Sequence, residues 1–145
     1  MPRTHDSFRE GATLGLSVAT GIWLWIALVD VIAGRPFQTF ALLGGVLVFT
    51  ALHYVLNVAY GIATVAVVHR AAREPSLLIG VVFGFFMMEF AFVMLTVLLS
   101  HVGLGALAWV RILGGNLVGA VIAFLLLVRS HPLAADLRAA DEDDE

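Results

Sequence analysis

Four long stretches of this chain carry almost no charge, at about 11–33, 41–68, 77–99 and 105–128. Each exceeds the ~20 helical residues that cross ~30 Å of hydrocarbon. Within lipid every backbone N–H and C=O must be bonded inside the protein, so only helices and closed barrels can span. Barrel strands read as alternating segments of about ten residues, which these stretches do not resemble. The spans are therefore helical. Their breaks hold turn and stop signals: Gly34-Arg35-Pro36, the Arg70 to Ser76 segment with Pro75, and Ser100-His101-Val102-Gly103. Hydrophobic residues make up 61% of the 145 and charged ones 13%, against ~45–50% and ~25% in a soluble domain. That balance excludes a water-soluble monomer. A net charge of −3 without a basic patch excludes a nucleic-acid binder. The absence of cysteine excludes disulfides and thiolate chemistry.

The predicted fold is an all-α integral membrane protein with four transmembrane helices. Short connections favour antiparallel neighbours, in an up-down-up-down bundle. Residues 1–10 form an N-terminal flank, 11–129 a single transmembrane domain, and 130–145 an acidic tail ending Asp141-Glu142-Asp143-Asp144-Glu145. The first apolar run is too long for a ~7–15-residue signal-peptide core, and Asp6 and Glu10 spoil a basic leader. Lysine is absent, so arginine sets the orientation. Arg3, Arg9, Arg70, Arg73, Arg129 and Arg138 fall on one side and Arg35 and Arg111 on the other, which places both termini in the cytoplasm of a cell-membrane protein.

Glycine pairs spaced for close helix approach occur at Gly11/Gly15, Gly80/Gly84 and Gly115/Gly119. They suit packing within the bundle, or else contact with a second copy or a larger membrane complex.

Polar residues inside the spans carry the functional signal. With each span's midpoint at the bilayer centre, His53, Asn57, Glu89 and Asn116 fall within ~3 Å of one depth. On the second span Thr50, His53, Asn57, Gly61 and Thr64 recur at helical spacing as one stripe. A charged carboxylate at mid-bilayer costs at least ~2.5 kcal/mol, which makes Glu89 the leading functional residue. Trp23, Trp25, Phe85, Phe86 and Phe92 offer an aromatic pocket wall, and the tryptophan indoles need acceptors, with Glu89 the nearest expected one. Further out, Asp30 and Arg111 are close enough in depth to form an ion pair, serving either structure or a gate above the midplane.

Three chemistries fit the midplane set. His53 and Glu89 with the two amides offer nitrogen and oxygen ligands for a divalent metal, but no pair at His-x-x-x-His or Glu-x-x-His spacing fixes two ligands on one helix. Glu89 and His53 suit a proton relay continuing through Thr96, Ser100 and His101. The aromatic wall with a few polar groups suits a small lipophilic ligand. Heme fits worse, because His101 lies ~18 Å beyond its span's centre. No nucleophile elbow or phosphate loop is present, so the sequence names no enzymatic activity. Two functions stand: a membrane protein with a mid-membrane His/Asn/Glu/Asn site for a metal ion, proton or small lipophilic ligand, and a non-catalytic accessory or scaffold subunit of a larger membrane complex.

Overall fold

The computed structural model describes residues 4–71, 87, 90, 93–94, 97–98, 101 and 107–130, and among them it is helical without a strand. Helix α1 runs Thr4–Ile32, a short α2 runs Gln38–Leu42, and α3 runs Val46–Ala71. A π-helical segment, Leu107–Leu113, leads into α4, Gly114–Ser130. Among the described residues three helices are long and apolar enough to cross a membrane: Ser7–Ile32, Val46–Arg70 and Trp109–Ser130. Most of the expected third span, 77–99, lies outside the described residues. Met87, Phe90, Val93, Met94, Val97 and Leu98 within it are helical.

The first connection departs from the expected boundaries for a local reason. Helix α1 ends in a Schellman motif: Gly34 takes φ +69°, its N–H reaches Val31 O at 3.0 Å, and the Arg35 N–H reaches Asp30 O at 3.0 Å. Pro36 follows and the helix cannot resume. The expected second span, beginning at 41, instead begins at Val46. Gly44 and Gly45, both at φ above +90°, separate it from α2. Phe37 adopts a left-handed φ of 60° at the start of α2, costly for a residue with a Cβ. Its ring packs against Trp23 and Phe40 at centroid distances of 6.3 and 5.8 Å, contacts that help hold the turn. The expected N-terminal flank, 1–10, is helical from Thr4 onward.

Helix α1 is the centre of the assembly, with α3 against one face and α4 against another. Both contacts are antiparallel. Towards α3, Ser7 meets His69, Gly11 meets Gly61 and Ile62, Gly15 meets Asn57 and Val58, Ala19 meets His53, and Trp23 meets Thr50. Towards α4, Gly21 meets Ile122, Ile22 meets Gly115 and Gly119, Trp25 meets Gly114, and Asp30 meets Arg111. Leu14, Val18 and Val65 form the buried centre, with Ile22, Ile122, Leu126 and Leu127 packed around it. Large apolar side chains on the outer surfaces are left exposed, Leu47 at 86% among them. A water-soluble fold would bury that surface, whereas lipid covers it at no cost.

Candidate functional site

The polar stripe of α3 is turned onto α1. His53 Nε2–H donates to the Ala19 carbonyl at 3.1 Å, because a carbonyl can only accept. That tautomer leaves a lone pair on Nδ1, which faces the Asn57 amide nitrogen at 3.3 Å. The same amide also donates to the His53 carbonyl at 2.8 Å. Trp23 Nε1–H donates to Thr50 Oγ1 at 3.0 Å, and Tyr54 O–H reaches Thr20 Oγ1 at 2.9 Å. In hydrocarbon the bonds from His53 to Ala19, Trp23 to Thr50 and Tyr54 to Thr20 hold α3 to α1, each worth about 0.6 kcal/mol and at most about 2.

The imidazole also belongs to an aromatic row. Trp23 packs on Phe40 at 5.0 Å, Phe40 on Phe49 at 5.1 Å, and Phe49 stacks on His53 at 5.1 Å with planes 12° apart. Phe40 is fully buried. The row was invisible in the sequence because Phe37 and Phe40 sit in what reads as a connection, and only the return of α2 onto α1 brings them to Trp23.

The expected aromatic wall divides. Trp23 and Trp25 are two residues apart, so a helix sends them to different neighbours. Trp25 Nε1–H donates to the Val110 carbonyl of the π-helical segment at 2.8 Å, and Gly114 makes room for the indole: a Cβ there would lie 2.9 Å from Nε1. Thr50 and Val110 therefore take the indole protons expected to seek Glu89. Phe85, Phe86 and Phe92 lie outside the described residues, as does Glu89.

Asn116 stands apart from His53 and Asn57. Gly115 and Gly119 on either side of it pack on Ile22, within about a turn of the Ala19 level where His53 docks, yet α1 lies between the two helices. The Asn116 side-chain nitrogen is buried and has no hydrogen-bond partner among the described residues. Such orphaned donors are rare, and burying an amide without a partner costs on the order of 1–3 kcal/mol by mutational measures.

Asp30 and Arg111 meet. Arg111 Nε–H donates to Asp30 Oδ1 at 2.7 Å, with Asp30 fully buried and Arg111 9% exposed. Thr39 completes the set: its hydroxyl donates to Oδ1 and its backbone N–H to Oδ2, both at 2.7 Å. One carboxylate thus ties together the end of α1, the start of α2 and the π-helical segment before α4. Thr39 was missed in the sequence because it lies in the break between spans. The clue available was a lone hydroxyl beside the apolar Phe40.

A second unforeseen set lies at the opposite end of α1. Ser7 Oγ is 2.7 Å from His69 Nδ1, and His69 Nε2 is 3.4 Å from a Glu10 carboxylate oxygen. Of the helix-packing glycines, Gly115 and Gly119 face α1, while Gly80 and Gly84 lie outside the described residues.

For a metal, the donor set around His53 is poor. Both of its ring nitrogens face protein partners, and among the described residues no three His, Asp or Glu side chains gather about a point. His53→Leu should accordingly leave the metal content of purified protein unchanged and lower stability by only about 0.6–2 kcal/mol. Elemental analysis and thermal melting in detergent read both quantities, and loss of a bound metal would refute this assignment. No protein-family model matches the chain, and no significant match was found among curated proteins or solved structures, so its chemistry is read from its own residues.

Proposed function

We propose that this is a multi-pass cell-membrane protein that binds a small lipophilic ligand beside Asn116, through a hydrogen-bond acceptor on that ligand. The buried amide donor without an acceptor among the described residues carries the reading. A lipid-embedded bundle gains nothing by keeping such a group, so an acceptor from outside the described residues is its natural complement. Glu89 is assigned as the second polar group of the site from its sequence depth. The metal and proton forms of the midplane site are weaker, because both ring nitrogens of His53 already face protein partners, Nε2 the Ala19 carbonyl of α1 and Nδ1 the Asn57 amide of its own helix.

The membrane topology follows the same reading. Helix α3 finishes beside the start of α1, while the π-helical segment begins beside its end, so residues 71 and 107 lie at opposite ends of the bundle. With the apolar run at 77–99, that supports a fourth crossing and both termini on one side. Arg9, Arg70 and Arg129 belong to the terminal side. At the far side the described residues offer Arg35 and Arg111, so the arginine count supports a cytoplasmic placement of the termini.

The test is mass spectrometry of small molecules extracted from detergent-purified protein. Wild-type protein should release a stoichiometric ligand, and Asn116→Leu and Glu89→Gln should each release at least about tenfold less, the order of one lost charge-free hydrogen bond plus its desolvation. Unchanged melting would show that the fold survives. Wild-type protein without ligand would overturn the binding reading.

A second reading, an accessory or scaffold subunit, is favoured by the internal use of both side chains, His53 in a bond across to α1 and Asn57 in a bond within α3. Such a subunit would dock through surfaces other than Gly115 and Gly119, which α1 already covers. Co-purification of a stoichiometric partner that survives Asn116→Leu would decide for it.

A further inference from the structure

We infer a phospholipid-binding site in the cleft at the end of the bundle where α1 begins and α3 and α4 finish. The cleft is a half-open groove of about 310 Å³, at the lower limit of the ~300–1,000 Å³ typical of small-molecule sites. Its floor and rim differ in kind. Leu14, Val65, Leu126 and Leu127 form the floor, where Leu14 is 5% exposed and Val65 fully buried. Arg9, Glu10, Thr13 and Ser130 stand at the rim.

The rim offers a cation to a ligand. The Arg9 side chain is exposed and has no partner among the described residues. Glu10 also lines the cleft, and its carboxylate lies 3.4 Å from His69 Nε2 on α3, so a phosphate would seat on the Arg9 side of the rim, away from that carboxylate. A guanidinium matches a phosphate's oxygens with two parallel N–H donors. The apolar floor beneath matches the first methylenes of an acyl chain, each worth ~0.8 kcal/mol when buried. A headgroup phosphate above and hydrocarbon below is the chemistry of a phospholipid in the leaflet at this end of the bundle. Free phosphate would use the rim alone. The site is separate from Asn116 and depends on none of its chemistry.

Native mass spectrometry of the detergent-solubilised full chain, titrated with palmitoyl-oleoyl phosphatidylglycerol, tests this. Wild-type protein should take up one tightly held lipid. Arg9→Gln removes the cation without touching a buried residue, and Leu126→Trp fills the floor. Each should weaken uptake by roughly tenfold or more, the effect of one charge-assisted contact or of about two buried methylenes. Thermal melting checks that both variants are folded. If Leu126→Trp does not fold, Arg9→Gln with a matched titration of short-chain dihexanoyl lipid replaces it, and the short chains should bind at least about tenfold more weakly. Inorganic phosphate in excess should not displace the lipid. Uptake at the wild-type level by Arg9→Gln, displacement by inorganic phosphate, or no retained lipid on the wild-type chain would each overturn the site.

Discussion

Replacing Asp30 with alanine should cost about 3–5 kcal/mol, the largest loss expected from any single change in this chain. Arg111 would keep its buried guanidinium near the end of α1 while losing the carboxylate 2.7 Å away. Thr39 would lose both of its acceptors in the same step. Desolvation makes the damage asymmetric: removing one partner strands a buried charge, whereas removing both leaves none. The double variant Asp30→Leu/Arg111→Met should therefore melt above Asp30→Ala and recover much of the loss. Asp30→Asn should fall between, since its amide oxygen still accepts a bond from Thr39 but cannot neutralise Arg111. Thermal melting in a single detergent, arranged as a double-mutant cycle, measures the coupling. A coupling below about 0.5 kcal/mol would show that the pair contributes little.

Adding one methyl group at Gly15 or Gly61 should cost about 2–3 kcal/mol, towards the top of the range for overpacking. A Cβ on Gly15 would lie 2.5 Å from the Val58 Cα, and one on Gly61 would lie 2.6 Å from the Gly15 backbone nitrogen. Backbone cannot swing aside as a side-chain tip can, so the two helices must separate. Separation would also lengthen the bonds from His53 to Ala19 and from Trp23 to Thr50. Gly115→Ala is the control. Its new methyl would meet an Ile22 methyl at 3.3 Å, which a small side-chain adjustment relieves at less than about 1 kcal/mol. Equal melting losses for Gly15→Ala and Gly115→Ala would refute the backbone-contact account.

The glycines illustrate how far spacing alone reaches. Gly11/Gly15 and Gly115/Gly119 share one pattern in the sequence, yet Gly11 and Gly15 meet backbone of α3 while Gly115 and Gly119 meet the Ile22 side chain of α1. Spacing marks a face fit for close approach and is silent on what approaches it. The α3 stripe has the same limit. Periodicity places Thr50, His53, Asn57 and Gly61 on one face, but whether that face opens on a ligand or on a neighbouring helix depends on the neighbour. Helix α1 covers it at every turn, through Trp23, Ala19, Gly15 and Gly11. The Asn116 amide, on α4, has no bond to His53 or Asn57 among the described residues.

Phe40, Thr39 and Phe37 were harder to read for a different reason. They occupy a connection between spans, where sequence rules register a break and then a new apolar run. Positive φ at Gly34, Gly44 and Gly45 folds that connection back onto α1, so that the Phe40 side chain is fully buried and Thr39 reaches Asp30. A turn's direction is set by a few dihedral angles, and no count of apolar residues contains them.

Membrane residence and helical structure were legible in the chain alone, because the hydrophobic effect and the demand for internally bonded backbone act on every residue of a long apolar run. They require no knowledge of what lies nearby. The partners of the polar side chains needed the packed helices, because hydrogen bonds and ion pairs act over about 3 Å and depend on which faces meet. Depth along a span can be counted from the sequence, so Asp30 and Arg111 could be set at similar levels. Their meeting, the capture of Thr39 by the same carboxylate, and the Asn116 amide left without an acceptor among the described residues follow from the rotation and crossing of helices about α1.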